Sequence, residues 1–301
     1  MGGKMEQYDL IIVGGGMAGI CSAIEAKRCG LEKVLIIEKE EKIGYQMMKS
    51  EYIVCNDKKY TGKGYRLAML QELIPLNVEV RVETTVLKIE EDNSVACICG
   101  RKGIEKIKGK AIILATGARE LGINEMHLEG DCVSGIYTVT SARQALMSSY
   151  NKLGKRILII GDTELERIAH LLQDDMKEVV GLVGDYLDEA KKLKLSEHYY
   201  EGYDLAGVYG TEKLEYVMLK KGDKKVTIPC DALIFAQPLI GDEYLAMKSG
   251  LHMKTALANH YELDGRMVFA CGRCLFADQT MEETRKNAQK AVEAIVQRLA
   301  S

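Results

Sequence analysis

The sequence has no tryptophan, only 3 prolines, and aromatic residues at just 6% of its 301 positions. Its apolar runs, such as 111–115, are far shorter than the roughly 18 residues that a membrane-spanning helix requires. Lysine and arginine number 41 and aspartate and glutamate 44, a net charge of -3, and no basic block is present for a phosphate backbone or an anionic membrane. The composition excludes collagen-like and disordered chains. Because basic blocks and long apolar runs are lacking, neither nucleic acid nor a membrane is an expected partner.

The nine cysteines are odd in number and show no disulfide framework of a small secreted domain. The amino-terminal residues lack the charged and apolar regions of a secretion signal, so we expect a cytoplasmic protein with reduced thiols. A chain of this length is about twice the usual domain size, which predicts two domains.

Glycine, with 29 residues, is abundant, and its first cluster organises the start of the chain. An apolar run of strand length, 8–13, is followed by Gly14-x-Gly16-x-x-Gly19 and a helical pattern that ends at Gly30, which can adopt a left-handed C-cap. A second apolar strand, 33–37, ends at Glu38. This order predicts a βαβ unit in a parallel sheet that is covered on both faces.

The remaining segments repeat this plan. After a helix at 65–73, short antiparallel strands are predicted at 78–82, 85–89, 95–99 and 104–108, then a buried strand at 111–115. A second βαβ pattern comprises strand 156–160, helix 164–172 and strand 178–183, and short strands follow at 203–208, 214–219, 225–228 and 232–236. The chain closes with a strand at 267–270 and a helix that Thr280 and Glu283 can open as a capping box.

The first glycine loop is a strong signal because a predicted strand precedes it, a helix follows it, and an acidic residue ends the next strand. Gly14 allows the tight turn, Gly16 lets a pyrophosphate approach the backbone, and Gly19 lets the helix pack on the strand. The helix amino end contributes partial positive charge, and Glu38 can accept hydrogen bonds from a ribose. The loop alone leaves open whether a flavin or a nicotinamide dinucleotide binds.

The glycine loop with Glu38, together with the segments 84–86, 115–117 and 268–272, resembles the two-domain flavoproteins of the thioredoxin reductase and pyridine nucleotide-disulfide oxidoreductase superfamily. The resemblance runs over nearly the whole chain. The resemblance implies an α/β fold of two Rossmann-like dinucleotide-binding domains (three-layer ββα), the second inserted in the first. It implies an FAD-binding domain at 1–117 and 240–301 and an NAD(P)-binding-like domain at 118–239. The residues that it implies for FAD are Gly14, Gly15, Gly16, Met17, Ala18, Gly19, Glu38, Lys39, Val86, Ala115, Thr116, Gly117, Gly272 and Arg273.

The segments 61–65, 76–80, 115–120 and 133–142 are similar to a narrower group in this superfamily. It contains the FAD-dependent oxidoreductases encoded beside bacterial anaerobic glycerol-3-phosphate dehydrogenase and the flavin subunits of amino-acid, opine and hydrogen-cyanide-forming dehydrogenases.

The second loop departs from the superfamily pattern, because it reads Gly161-Asp162-Thr163-Glu164-Leu165-Glu166 and keeps one of three glycines. Thr163 places a side chain where a pyrophosphate needs bare backbone, and the three acids oppose the helix dipole. We therefore expect weak or no NAD(P)H binding in the usual pose.

Departures also occur on the flavin side of the resemblance. Arg273 stands where the superfamily usually has an acid, and Tyr45 replaces the second glycine of a usual pair, where it could occlude or line the flavin pocket. Cys271 and Cys274 form a CxxC pattern, but thioredoxin reductases carry their redox pair in the other domain, so packing is favoured over dithiol exchange. The histidines are scattered singly, no zinc site is indicated, and no catalytic residue is assigned.

The resemblance implies an FAD-containing oxidoreductase that exchanges hydride or electrons with a small metabolite or a protein partner. Two alternatives stay open: an NAD(P)H-dependent reductase of the disulfide-reductase type, and a non-catalytic flavin-binding component of a larger dehydrogenase complex. A homodimer is also compatible with the sequence.

Overall fold

The structure, a computed structural model, describes residues 6–48, 53–55, 60–100, 103–147, 153–172 and 177–301. The chain divides into two compact units: unit 1 comprises Met1–Arg119 and Ile240–Ser301, and unit 2 comprises Glu120–Leu239. The predicted α/β class, with a second Rossmann-like unit inserted in the first, is confirmed.

The helices and strands follow in chain order. The first segment of unit 1 contains β1 (Gln7–Val13), α1 (Met17–Arg28), β2 (Val34–Ile37), α2 (Tyr45–Met48), β3 (Ile53–Cys55), β4 (Tyr60–Thr61), α3 (Gly62–Leu73), β5 (Glu79–Arg81), β6 (Thr84–Ile89), β7 (Ser94–Cys99), β8 (Gly103–Leu114) and β9 (Ala118–Arg119). Unit 2 contains β10 (Ile136–Thr138), α4 (Val139–Met147), β11 (Arg156–Ile160), α5 (Leu165–Leu172), β12 (Glu178–Gly184), α6 (Asp188–Leu193), β13 (Tyr199–Glu201), β14 (Asp204–Gly210), β15 (Leu214–Lys221), β16 (Lys224–Pro229) and β17 (Ala232–Phe235). The second segment of unit 1 contains β18 (Ile240–Gly241), α7 (Tyr244–Lys248), α8 (Met253–Ala258), β19 (Val268–Ala270) and α9 (Met281–Ala300).

Unit 1 is built on a sheet with the strand order β5-β2-β1-β8-β7-β6, and β19 pairs with β8. The strands β5, β2, β1, β8 and β19 are parallel, whereas β7 pairs antiparallel with β6 and with the first half of β8. Because the parallel strands are apolar on both faces, each face needs a cover. Residues of α1, α3 and α9 cover one face, and β6, β7, α7 and α8 contribute to the other.

Unit 2 repeats these layers. Its parallel sheet has the order β10-β17-β11-β12-β13, and a separate antiparallel sheet has the order β14-β15-β16. Residues of α4, α5 and α6 pack on one face of the parallel sheet, and residues of the antiparallel strands pack on the other. The internal repeat predicted from the sequence is therefore present in the arrangement of the strands.

Three sequence predictions about elements are wrong. The segment at 78–82 is not antiparallel: β5 pairs parallel with β2, because α3 returns the chain to the same edge of the sheet. The segments 104–108 and 111–115 are not separate strands, since the intervening Gly109 and Lys110 stay extended within β8. The helix of the second βαβ unit begins at Leu165, because Glu164 adopts φ +56°.

Two predicted helix ends are confirmed. Gly30, two residues after α1, has φ +87°. At the start of α9, the Glu283 N–H donates to the Thr280 hydroxyl at 3.2 Å, and the Thr280 N–H donates to the Glu283 carboxylate at 2.9 Å. The sequence did not predict the helices α2, α4, α6, α7 and α8.

Candidate cofactor site

The parallel strands of unit 1 end at one edge of the sheet. Val13 is in register with Ile37 and with Leu114, and Leu114 is in register with Ala270. The residues that follow these four strand ends therefore lie along one crevice. In an open α/β sheet this carboxyl edge is where ligands bind.

The loop Gly14–Gly16 connects β1 to α1 at this edge. Gly14 has φ +107°, and its N–H donates to the Ile37 carbonyl at 2.8 Å. A Cβ added at Gly14 would collide with the Ala115 carbonyl oxygen, so the turn requires glycine on two counts. A Cβ added at Gly16 would meet nothing within 4 Å. The backbone at Gly16 is thus open to a ligand.

Gly19 allows α1 to pack closely against the glycine loop. A Cβ at this position would collide with the Gly14 carbonyl oxygen, so only glycine lets the first turn of α1 approach the loop so closely. Met17 and Ala18, in the same turn, are buried. No side chain caps α1, and its first turn contains no acidic residue. The unpaired N–H groups of the helix start are therefore available to an anion.

The carboxylate of Glu38 is buried beside the glycine loop. Its Oε2 accepts a hydrogen bond from the Gly15 N–H at 2.6 Å, and its Oε1 accepts one from the Glu40 N–H at 2.8 Å. Since each carboxylate oxygen has a second lone pair, the group retains acceptor capacity for a ribose hydroxyl. The exposed Lys39 side chain has no partner among the described residues.

The segment after β8 crosses towards β18. The Ala115 N–H donates to the Val13 carbonyl at 2.8 Å, which places Ala115 beside the first glycine. The Thr116 hydroxyl donates to the Asp242 carbonyl at 2.9 Å, and the Asp242 N–H donates to the Gly117 carbonyl at 2.9 Å. Gly117 has φ +84°, so the crossing has a fixed path that favours glycine.

Gly272 follows β19 in a 3-10 turn at Gly272–Cys274. It has φ +76°, and an added Cβ would come within 2.5 Å of the Ala18 Cβ, so this turn packs directly on the start of α1. Arg273 is exposed and its Nε donates to the Ala277 carbonyl at 2.6 Å. Val86 lies on β6, farther from the glycine loop, and is half-buried. The start of β6 is joined to the site by the Thr84 N–H, which donates to the Glu38 carbonyl at 2.9 Å.

These features fit a dinucleotide. The structure brings the glycine loop, Glu38, the Ala115–Gly117 segment and Gly272 to one edge of unit 1, with open backbone at Gly16 where a diphosphate would approach. Tyr45 is half-buried at the first position of α2, next to Gly44, whose N–H donates to the Gly15 carbonyl at 2.7 Å. An arginine that the sequence did not single out, Arg66 on α3, packs on the same Gly44.

The corresponding loop of unit 2 is built differently. Gly161 matches Gly14, since its N–H donates to the Val183 carbonyl at 2.8 Å and a Cβ there would collide with the Ala236 carbonyl oxygen. The next residues diverge, because the Thr163 hydroxyl donates to that same Ala236 oxygen at 2.7 Å. With Glu164 in the left-handed region, α5 starts four residues after Gly161, whereas α1 starts three residues after Gly14. The side chains of Glu166 and His170 lie outside the described residues.

Cys271 and Cys274 are free, buried thiols at the site edge. The Cys271 thiol lies 3.4 Å from the Ser22 hydroxyl, and the Cys274 thiol donates to the Cys271 carbonyl at 3.1 Å. Burial raises the pKa of Cys274 to about 11 and also raises that of Cys271. Both thiols are therefore protonated near neutral pH, which is the opposite of an activated redox pair.

Elsewhere in unit 1, His252 Nδ1 lies 3.1 Å from the Asp264 carboxylate. This side chain is 76% exposed. Within the described residues, no group of three or more His, Cys, Asp and Glu side chains could hold a metal ion. No helix in this part of the chain is long and apolar enough to span a membrane.

A sequence model of the pyridine nucleotide-disulphide oxidoreductase family matches residues 8–163, which is more than half of the chain. The chain belongs to this family. The match begins in β1 and includes the glycine loop, Glu38 and the Ala115–Gly117 segment, and it ends within the second loop. The predicted class, an FAD-dependent oxidoreductase family, is thereby confirmed, and membership implies FAD.

The individual relatives have low sequence identity to this chain. The chain is 31% identical over 151 residues to ferredoxin–NADP reductase from Lactococcus lactis subsp. cremoris, covering 46% of each chain. It is 26% identical over 164 residues to an opine oxidase subunit from Agrobacterium tumefaciens, covering 51% of this chain and 32% of that one. These matches span less than half the length of the curated relatives. The fold is similar to thioredoxin reductase from T. acidophilum, with a TM-score of 0.73, 18% identity, and coverage of 98% of this chain and 100% of that one.

Proposed function

We propose that unit 1 binds FAD and that the chain exchanges electrons with a small metabolite or a protein partner, without using NAD(P)H in the usual pose. Bound FAD supplies the two-electron chemistry of hydride transfer. The loop Gly14–Gly16 and the start of α1 bind the diphosphate, Glu38 accepts from the ribose, and the backbone near Val86 borders the adenine. Thr116 and Gly117 would contact FAD as the crossover segment, and Gly272 would lie beside the ribityl chain.

The observation that carries the nicotinamide part of this proposal is the Thr163 hydroxyl on the Ala236 carbonyl. At Gly16 the backbone is open, whereas at Thr163 a side chain is anchored by a 2.7 Å hydrogen bond and cannot swing aside without losing it. Because α5 starts one residue later after Gly161 than α1 does after Gly14, the first N–H groups of α5 are also displaced by one residue. Both differences remove features that a diphosphate uses.

A second candidate, an NAD(P)H-dependent reductase, is favoured by the name of the Lactococcus lactis relative, ferredoxin–NADP reductase. Such an activity would need a nicotinamide pose that avoids Thr163. A third candidate, a flavin-binding component of a larger complex, is favoured by the similarity to the opine oxidase subunit.

Anaerobic mixing of the FAD-loaded protein with NADH or NADPH separates the first two candidates. We expect the absorbance of oxidised flavin to persist, while dithionite bleaches it and so shows that the flavin is reducible. Rapid bleaching by either nucleotide, or a micromolar Kd for it by calorimetry, would contradict the proposal. A protein that takes up no FAD would contradict the cofactor assignment.

The third candidate predicts a different result. A tight stoichiometric partner would co-purify, and the isolated chain would not turn over with any electron donor. Robust turnover by the chain alone, measured with an artificial electron acceptor and a panel of small amino-acid and hydroxy-acid donors, would eliminate this candidate.

A further inference from the structure

We infer that Arg66 is a further cofactor-binding residue, whose guanidinium binds a phosphate oxygen of the dinucleotide at the glycine loop. The inference rests on the proposed binding of FAD to unit 1. It adds a residue that lies on α3, outside the βαβ unit.

A short series of contacts joins Arg66 to the glycine loop. Its Nε donates to the Ile43 carbonyl at 2.8 Å, and a Cβ added at Gly44 would come within 3.0 Å of its Cδ. The Gly44 N–H in turn donates to the Gly15 carbonyl at 2.7 Å. The side chain of Ile43 also packs on Gly15, where an added Cβ would come within 2.5 Å of its Cγ2. Ile43 and Gly44 therefore connect Arg66 to the glycine loop, beside the open backbone at Gly16.

Among the described residues, the charge of Arg66 has no counterion. The residue is half-buried, and in this part of the chain no carboxylate lies within 4.0 Å of it and neither Nη atom has an acceptor. Two other arginines of unit 1, Arg28 and Arg285, contact the Glu72 carboxylate at 3.2 and 2.9 Å. Because a partly buried charge is costly without a partner, an anion is expected at this position.

The diphosphate of the cofactor is the anion that fits. The first turn of α1 contains no basic side chain, so the helix start alone offers N–H groups and partial charge. The Glu38 carboxylate, which accepts from the Gly15 N–H, makes the site less favourable for an anion. A guanidinium fixed through Nε presents its Nη donors in the planar geometry that suits phosphate oxygens.

The test measures the Kd of FAD for the apo-protein by quenching of flavin fluorescence. Arg66→Gln removes the charge, Arg66→Met removes it but keeps apolar bulk against Gly44, and Arg66→Lys keeps the charge. Arg28→Gln is the matched control, because it removes one positive charge at the opposite end of α1, about 18 Å away. Urea unfolding of each apo-variant reports whether the substitution disturbs the fold.

We expect Arg66→Gln and Arg66→Met to weaken FAD binding by about 10- to 100-fold, the range for loss of a charge-assisted contact, and to reduce its dependence on salt. Arg66→Lys should stay within about 10-fold of the wild type, and Arg28→Gln should not change. Equal affinities for the wild type and both neutral variants would overturn the inference, as would equal losses in the neutral variants and Arg66→Lys. The proposed function would stand in both cases; it fails, and the inference with it, if the wild type itself binds no FAD.

Discussion

The carboxylate of Glu38 accepts a hydrogen bond of 2.6 Å from the backbone N–H of Gly15, so the acid predicted for the ribose also holds the glycine loop. Its second oxygen accepts from the Glu40 N–H at 2.8 Å. Through these two bonds Glu38 stabilises the conformation of the glycine loop.

Replacing Glu38 with glutamine should destabilise the apo-protein. A glutamine NH2 cannot accept from a backbone N–H, so one of the two donors, the buried Gly15 N–H or the partly buried Glu40 N–H, loses its partner at a cost of about 1–3 kcal/mol. The free energy of unfolding in urea measures this effect. Glu32→Gln, on an exposed side chain before β2, should change it by less than about 0.5 kcal/mol. Equal stabilities of Glu38→Gln and the wild type would show that the two bonds contribute nothing.

Two glycine substitutions should separate binding from folding. Gly16→Ala meets open space, so the free energy of unfolding should change by less than about 0.5 kcal/mol, while FAD binding weakens because the Cβ occupies the approach of the diphosphate. Gly19→Ala collides with the Gly14 carbonyl and should lower stability by more than about 1 kcal/mol. Urea unfolding and FAD titration of both variants test the distinction. A Gly16→Ala variant with full FAD affinity would place the diphosphate elsewhere.

The glycine loop could be predicted from sequence because its turn and helix start are local features, although the Ala115 carbonyl that also excludes a Cβ at Gly14 is distant in the chain. Gly14, Gly16 and Gly19 are fixed by a turn and a helix start whose residues adjoin in the chain, and Glu38 ends the next strand. Arg66 was missed because only the folded chain brings α3 against Gly44, and no spacing rule connects position 66 to the loop. The single strand β8 was also missed, since Gly109 is typical of a strand break although it stays extended between β1 and β7.

The Thr163 hydroxyl supports a prediction about the second loop. Thr163→Val keeps the branched shape but loses the hydrogen bond to the Ala236 carbonyl, so stability should fall by about 0.5–1.5 kcal/mol. Thr163→Ser keeps a hydroxyl and should lose less. Thr163→Gly should not allow NADH to reduce the flavin. The loop between Gly161 and α5 would still be one residue longer than the loop between Gly14 and α1. Flavin bleaching after mixing Thr163→Gly with NADH would contradict this expectation.

The thiols of Cys271 and Cys274 should be unreactive in the folded protein. Burial raises the pKa of Cys274 to about 11 and raises that of Cys271, so the thiolate fraction is small at neutral pH and increases only as the pH rises towards these values. With iodoacetamide at about pH 8, the exposed Cys132 should be alkylated first, and Cys271 and Cys274 only after unfolding. Mass spectrometry of tryptic peptides measures the order of labelling. Native labelling of the pair at the rate of Cys132, or a disulfide between its members after mild oxidation, would instead assign Cys271 and Cys274 a redox function.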